Sequence, residues 1–256
     1  MRDRSRGFSL PELLVATALA GILLALSYQI LVAFQRNYLL GDDLAEARQN
    51  GRIAFEELGR VLSSAGAGVD LDRGQMRILS AHPYQIVFNA DLRSDRSALA
   101  PGTTRVPGAQ AQDPWDFIPG TYTASSAETY RYTLDRTGDG RVTPADRASG
   151  DHYTLYRETN GGTNEELAQL LANPRLGRPL FRYEGDFDGD GSSEMLERVD
   201  RSTSSRVAAG ASLDSVIRRI EVEVITETAD PDLRWPHDGG YRQVCLEGRL
   251  ALRNLP

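Results

Sequence analysis

The chain has 256 residues, 40% hydrophobic and 25% charged, with a formal net charge of −7, no lysine and a single cysteine, Cys245. An acidic chain is a poor generic binder of nucleic acid, because phosphate affinity depends on neutralising charge, and one cysteine excludes an internal disulfide. His82, His152 and His237 are scattered without metal-ligand spacing, and there is no glycine-rich phosphate loop and no GxSxG segment, so the usual sequence signs of an enzyme are missing.

The N-terminus carries Arg2, Arg4 and Arg6, then Gly7, Phe8 and a lone acid, Glu12. From Leu13 to Gln35 no residue is charged. The 22 residues Leu13–Phe34 make a helix of roughly 33 Å, enough to cross a hydrocarbon core of about 30 Å. The arginines before it keep the N-terminus cytoplasmic and send the bulk of the chain outward. Ala18-Leu19-Ala20 supplies an A-x-A signal-peptidase site, but the apolar run continues past it and Pro11-Glu12 interrupts the place where an h-region starts. A plain signal anchor leaves Glu12 unexplained, since an acid inside a span costs about 2.5–3.5 kcal/mol.

The segment Gly7-Phe8-Ser9-Leu10-Pro11-Glu12-Leu13-Leu14-Val15-Ala16 resembles the N-terminal signature of type IV pilins and type II secretion pseudopilins. The resemblance implies that residues 1–7 are a leader removed by prepilin peptidase between Gly7 and Phe8, and that the new N-terminus is methylated. The leader has a net charge of +2, so the processed chain carries −9. The resemblance also implies a role in assembly for Glu12. Its carboxylate lies one helical turn from the new α-amino cation and can neutralise it, or neutralise the amine of a neighbouring subunit. Removing one partner of such a pair in low dielectric costs about 3–5 kcal/mol.

Residues 8–35 are thus expected to form a transmembrane or filament-core helix and residues 36–66 an amphipathic one, with Gly41 a weak point between them. Asp43 and Glu46 resemble a capping box. Leu40, Leu44, Ala47, Ala54, Leu58 and Leu62 recur at helical spacing and should pack on a sheet. The helix should end near Ser64–Gly68.

Residues 67–256 are expected to form one globular, mainly antiparallel β head, giving an α+β chain. Strand candidates are Gln85–Asn89, Glu128–Leu134, Tyr153–Glu158, Leu180–Tyr183, Val216–Glu227 and Arg242–Arg253. In Ile220-Glu221-Val222-Glu223-Val224 the alternation predicts one apolar and one acidic face. A short helix is expected at Asn164–Leu171, with long loops at Ala98–Ala127 and Asp200–Leu213. The apolar neighbours of Cys245 predict a buried free thiol. Trp115 and Trp235 sit in loop-like surroundings, where such residues more often pin a loop to the core than make adhesive or subunit contacts.

Two acidic loops interrupt the head. Asp186-Phe187-Asp188-Gly189-Asp190-Gly191-Ser192-Ser193-Glu194-Met195-Leu196-Glu197 fits D-x-D-x-D-G-x5-E in full. That spacing assigns calcium oxygens to Asp186, Asp188, Asp190, the Ser192 carbonyl, Glu194 and Glu197. The segment 135–146 fits a looser version resembling the dockerin-type loop, with candidate ligands Asp135, Thr137, Asp139, the Arg141 carbonyl and Asp146. The competing reading is that Asp-Gly makes a hairpin turn with no ion. Bound calcium would rigidify the loops of a secreted head.

Five head segments, Tyr130-Arg131-Tyr132-Thr133-Leu134, Tyr153-Thr154-Leu155-Tyr156-Arg157, Leu180-Phe181-Arg182-Tyr183, Arg218-Arg219-Ile220-Glu221-Val222 and Leu250-Ala251-Leu252-Arg253-Asn254, resemble those of PilW-type minor pilins. The J-type minor pseudopilins of type II secretion are the second choice. The resemblance implies a structural subunit that helps initiate pilus assembly at or near the filament tip, with other minor pilins and the major pilin as partners. It would begin in the inner membrane as a single-pass protein with a periplasmic head and end in a surface pilus. A membrane-anchored calcium-dependent adhesin is compatible with this. A membrane-anchored calcium-dependent enzyme is the rival, and it lacks a nucleophile–base pair in the sequence.

Overall fold

The computed structural model describes residues 9–69, 76–92, 102–107, 117–125, 127–139, 141–148, 150–159, 162–232, 235 and 238–252. Its backbone axis is one helix, α1 (Leu10–Leu62), of 53 residues, which at 1.5 Å per residue is about 80 Å long. Gly41 does not break it. Up to Leu39 the side chains of α1 are exposed, with only Val32 intermediate. The second part buries Ala47, Gly51, Ala54, Leu58, Val61 and Leu62, largely the stripe expected from the spacing.

The strands are β1 (Ile78–His82), β2 (Gln85–Ala90), β3 (Gly102–Pro107), β4 (Phe117–Ser125), β5 (Glu128–Thr133), β6 (Tyr153–Thr159), β7 (Glu165–Leu171), β8 (Phe181–Gly185), β9 (Glu194–Leu196), β10 (Ile217–Glu227) and β11 (Gln243–Ala251). Nine form one sheet in the order β1-β2-β5-β6-β7-β10-β8-β9, with β11 on the other edge of β10; β3 and β4 form a separate hairpin. Every pairing is antiparallel. A long helix packed on an antiparallel sheet is the α+β, pilin-like arrangement expected from the resemblance.

Strand β10 is the hub. On one side it pairs with β11 from Arg219 to Glu227, and on the other with β8 from Ile217 to Val222 and with β7 at Thr226. Asn173 fills the fork between β7 and β8. Its Oδ1 accepts from the Ile225 N–H at 2.9 Å and its Nδ2 donates to the Glu223 carbonyl at 2.7 Å, so the buried backbone there is paired by a side-chain amide.

The helix lies along β7, β10 and β11. A Cβ on Gly248 would come within 2.6 Å of Phe55, and one on Gly51 within 3.0 Å of Thr226 Oγ1. These two glycines let helix and sheet approach, and the Thr226 hydroxyl donates to the Ala47 carbonyl at 2.8 Å across the contact. Short helices α2 (Ser205–Ala208) and α3 (Leu213–Val216) precede β10.

Several expectations are corrected. Asn164–Leu171 is not a helix: from Glu165 it is β7, whose partners on β6 and β10 override the helix propensity of Glu, Leu, Ala and Gln. The expected loop Ala98–Ala127 contains the β3–β4 hairpin; residues 98–101, 108–116 and 126, with Trp115, lie outside the described residues. The expected loop Asp200–Leu213 contains α2. Strands β1 and β9 escaped the sequence reading. The acidic face of β10 is not solvated: Glu221 and Glu223 are buried under Arg182, Arg249 and Arg178. Cys245 is exposed, because it points outward where Leu246 packs toward α1.

Candidate functional site

Three regions carry the candidate residues. The first is the start of α1. Ser9 is its N-cap and Pro11 lies in the first turn, where a missing N–H does no harm. Glu12 Oε2 accepts from the Ser9 N–H at 2.9 Å and from the Ser9 hydroxyl at 2.8 Å. The carboxylate thus returns to the end of its own helix, the position a negative charge prefers. Sequence reading assigned Glu12 to assembly and missed this local role, although Ser-x-x-Glu is its signal. Both bonds end on Oε2. Gly7 and Phe8 lie outside the described residues. Beyond Glu12 the apolar surface is bare: Leu13, Leu24 and Phe34 are 60%, 71% and 69% exposed.

The second region is the loop between β8 and β9. Asp186, Asp188, Asp190 and Glu194 each offer a carboxylate oxygen, all within 4.8 Å of one another, the one such group among the described residues. Gly189 and Gly191 take φ of 88° and 91°, the left-handed turns a ligand-wrapping loop needs. Asx bonds shape it: Gly189 N–H to Asp186 Oδ1 at 2.8 Å, Asp190 N–H to Asp188 Oδ1 at 3.0 Å and Ser192 N–H to Asp190 Oδ1 at 2.7 Å. The Phe187 N–H donates to Glu194 Oε2 at 3.0 Å. Hydrogen bonds from Ser192 hold the Asp190 carboxyl below its usual range. Glu197 is not in the group; it is exposed past β9 and bears on Tyr84. Arg206, which sequence reading also missed, reaches in from α2 and its Nη1 donates to Asp186 Oδ2 at 3.0 Å.

The third region, 135–146, is organised differently. Asp146 is fully buried. Its Oδ1 accepts from the N–H groups of Arg136 at 3.0 Å and Thr137 at 2.9 Å, and its Oδ2 from the Thr143 N–H at 2.7 Å and hydroxyl at 3.1 Å. Burial pushes its carboxyl up, but the bonds from Thr137 and Thr143 outweigh that and hold it low. Asp135 Oδ1 accepts from the Gly138 N–H at 2.8 Å and the Thr137 hydroxyl at 3.2 Å, while Oδ2 pairs with Arg131 at 3.0 Å. Asp139 accepts from the Arg141 N–H at 2.9 Å. The carboxylates that spacing offered to an ion are here engaged by protein donors.

A model of the prokaryotic N-terminal methylation motif matches residues 2–28. No curated protein and no solved structure matches the chain. The matched segment runs from the basic leader through Glu12 into the bare half of α1. This prepilin-type motif, continuous with an exposed apolar helix on an antiparallel β head, supports a type IV pilin-like protein that is processed by prepilin peptidase and assembles with other pilins at a membrane.

Proposed function

We propose that the chain is a minor type IV pilin of the PilW kind, a structural subunit that joins other minor pilins at or near the filament tip and helps prime assembly. The observation that carries the reading is the division of α1. Its first half presents a span-length apolar surface with 0% of the most apolar window buried, while its second half is fixed to a folded head. Such a surface is stable only against lipid or other apolar helices. The peptidase would cut before Phe8, Glu12 would meet the N-terminal amine of its own chain or a neighbour, and the head would pass from periplasm to the pilus surface. The role is structural, not catalytic. Deleting the gene and scoring surface filaments against secreted exoproteins tests the reading: loss of filaments with normal secretion supports it, and the reverse assigns the chain to the pseudopilins of type II secretion.

A calcium ion in the loop between β8 and β9 is part of the same proposal. Four carboxylates offer the hard oxygens that Ca²⁺ takes, and the turn holds them together without neutralising more than Asp186. The donor set is Asp186, Asp188, Asp190 and Glu194, with Glu197 left out. The 135–146 loop is the weaker candidate, because Asp135 and Asp146 already accept from several protein donors and Asp135 is paired with Arg131. The ion would stiffen the β8–β9 connection of the head and take no part in chemistry.

A further inference from the structure

Among the described residues the nine-stranded sheet has one long open edge. Strand β1, at one end of the path, is bridged through Ala81 to Val199 beyond β9, and β9 itself has only three residues. Strand β11 has nine, and it pairs with β10 alone. That pairing runs from Arg219 opposite Ala251 to Glu227 opposite Gln243 without a bulge, and residues 243–251 contain no proline and no lysine. Natural edge strands are usually kept short, bulged or blocked by such residues. The side-chain row of β11 that faces α1 is only partly covered: Val244, Leu246 and Leu250 are half-buried.

The opposite face carries its charges in two cross-strand rows. In the first, Arg182 of β8, Glu221 of β10 and Arg249 of β11 stand opposite one another. Glu221 Oε1 is 3.0 Å from Arg182 and its Oε2 is 2.9 Å from Arg249, so the signs alternate across three strands. In the second row Glu223 is paired with Arg178 and lies 3.6 Å from Arg182 Nη2, and Glu247 of β11 stands opposite it. Glu247 is exposed and forms no ion pair with a described residue. Like charges directly opposite are destabilising. This row therefore ends one cation short at the open edge, while the first ends on an arginine that an acid would match.

We propose that the outer edge of β11 docks one extended segment of a different chain, which adds to the sheet as a further antiparallel strand. Its backbone supplies the donors and acceptors that an edge strand leaves open. The two rows set its charge: an acid facing Arg249 and a base facing Glu247, which in an antiparallel strand is the order acid-x-base. Antiparallel addition continues the pairing of β8, β10 and β11 and is the more stable per residue. Glu247-Gly248-Arg249 has that order itself, so a free copy of this strand would fit. Anchoring excludes a second whole chain. Leu246, Gly248 and Leu250 pack in turn against Gly51, Phe55 and Gly59, so β11 runs with α1. Copies that span one membrane in one direction thus present their β11 strands parallel, and in matched register Glu247 meets Glu247. This exclusion rests on the membrane-spanning reading of α1; the edge and its charge rows do not.

The test uses the full chain in phosphatidylcholine nanodiscs, one copy to a disc, and a fluorescent peptide of residues 243–251 carrying Cys245→Ser. The peptide should bind, read by anisotropy, and should slow hydrogen exchange of the β11 amides that point away from β10. A peptide that also carries Arg249→Glu should bind about fivefold more weakly, and Glu247→Lys in the chain should reverse that preference. No binding, binding indifferent to both charge changes, or binding that leaves β11 exchange unaltered overturns the proposal. Discs loaded with two copies examine the rival occupant: slowed β11 exchange there without peptide would make a second copy the occupant and also overturn it. Carbonate extraction of the chain from cell membranes tests the spanning reading separately. A chain released by carbonate ends that reading, while the peptide result still decides the edge.

Discussion

The two halves of α1 share one unbroken helix and differ in everything that surrounds them. Between Leu40 and Leu62 the helix alternates buried residues with charged ones such as Arg52, Glu56 and Arg60, and its apolar stripe meets β7, β10 and β11. From Leu10 to Leu39 the apolar residues go all the way round and, among the described residues, all but the half-buried Val32 are exposed. A helix apolar on every side belongs in a membrane or among other helices. The contrast separates the part of the helix that packs on the sheet from the part that the described fold leaves exposed.

The largest effect that sharpens this division belongs to Glu12. Glu12→Ala removes the one acid of the bare half, and where that acid pairs with an N-terminal amine in low dielectric the loss is about 3–5 kcal/mol. Filament incorporation should fall sharply while membrane insertion and head stability stay as in the native chain. Quantifying the variant in sheared filaments and in membranes checks this, and native filament levels would contradict it.

A pair of leucine truncations comes next. Leu58 is fully buried and Leu24 is 71% exposed. Leu58→Ala should destabilise the head by about 2–5 kcal/mol, whereas Leu24→Ala should leave its denaturation in detergent unchanged. Equal effects would erase the distinction between the halves.

Glu57 tests how the second half is held. One oxygen accepts from the Tyr132 hydroxyl at 3.1 Å and from Arg157 at 2.9 Å, and the other pairs with Arg60 at 2.6 Å. Burial pushes its carboxyl up, but the bonds from Arg60, Tyr132 and Arg157 prevail and lower it from 4.5. A depressed carboxylate contributes stability that is present above its unfolded value and lost as pH falls through the folded one. His82 acts with the same sign at higher pH. Burial, aided by Arg198, lowers it from 6.5 to about 4, so the unfolded chain takes up a proton that the folded chain refuses. Head stability should therefore decline from about pH 6.5 downward and more steeply below 4.5. Glu57→Gln should cost about 1.5–3 kcal/mol near neutrality, as hydrogen bonds to charged groups do, and flatten the most acidic part of the curve. Melting the native chain and this variant across the pH range measures both.

Smaller again is the contrast between the acidic loops. At ten times its Kd calcium would stabilise the head by about 1.4 kcal/mol, and extracellular calcium modules have Kd of about 10⁻⁴–10⁻³ M. Millimolar calcium should raise the melting temperature, Asp188→Ala or Glu194→Ala should abolish the rise, and Glu197→Ala should not. Asp146→Ala should lower stability whether or not calcium is present, because it orphans donors and not an ion.

What the sequence disclosed was local. The charge-free run, the Gly-Phe-x-x-x-Glu spacing and the leucine–alanine stripe depend on neighbours within a few residues, and the helix and its division follow from them. The full calcium pattern predicted that Asp186, Asp188, Asp190 and Glu194 would meet, since one tight turn brings them together. What stayed hidden depends on residues far apart in the chain. Glu165–Leu171 has helical propensity and becomes a strand only because β6 and β10 lie beside it. Glu221 and Glu223 look like a wet face until Arg178, Arg182 and Arg249 arrive from the turn before β8, from β8 and from β11. In the 135–146 loop spacing cannot show that Arg131 and several protein N–H and hydroxyl donors already serve Asp135 and Asp146.

We propose that cleavage between Gly7 and Phe8 turns the bare half of α1 into the helix of a processed pilin. Intact-mass and N-terminal sequence analysis of the protein extracted from membranes of cells with an active prepilin peptidase tests it most directly. The expected product is a chain starting at Phe8, methylated on its amine, with Glu12 as its fifth residue. A chain cut after Ala20, or one that keeps Met1–Gly7, would contradict it.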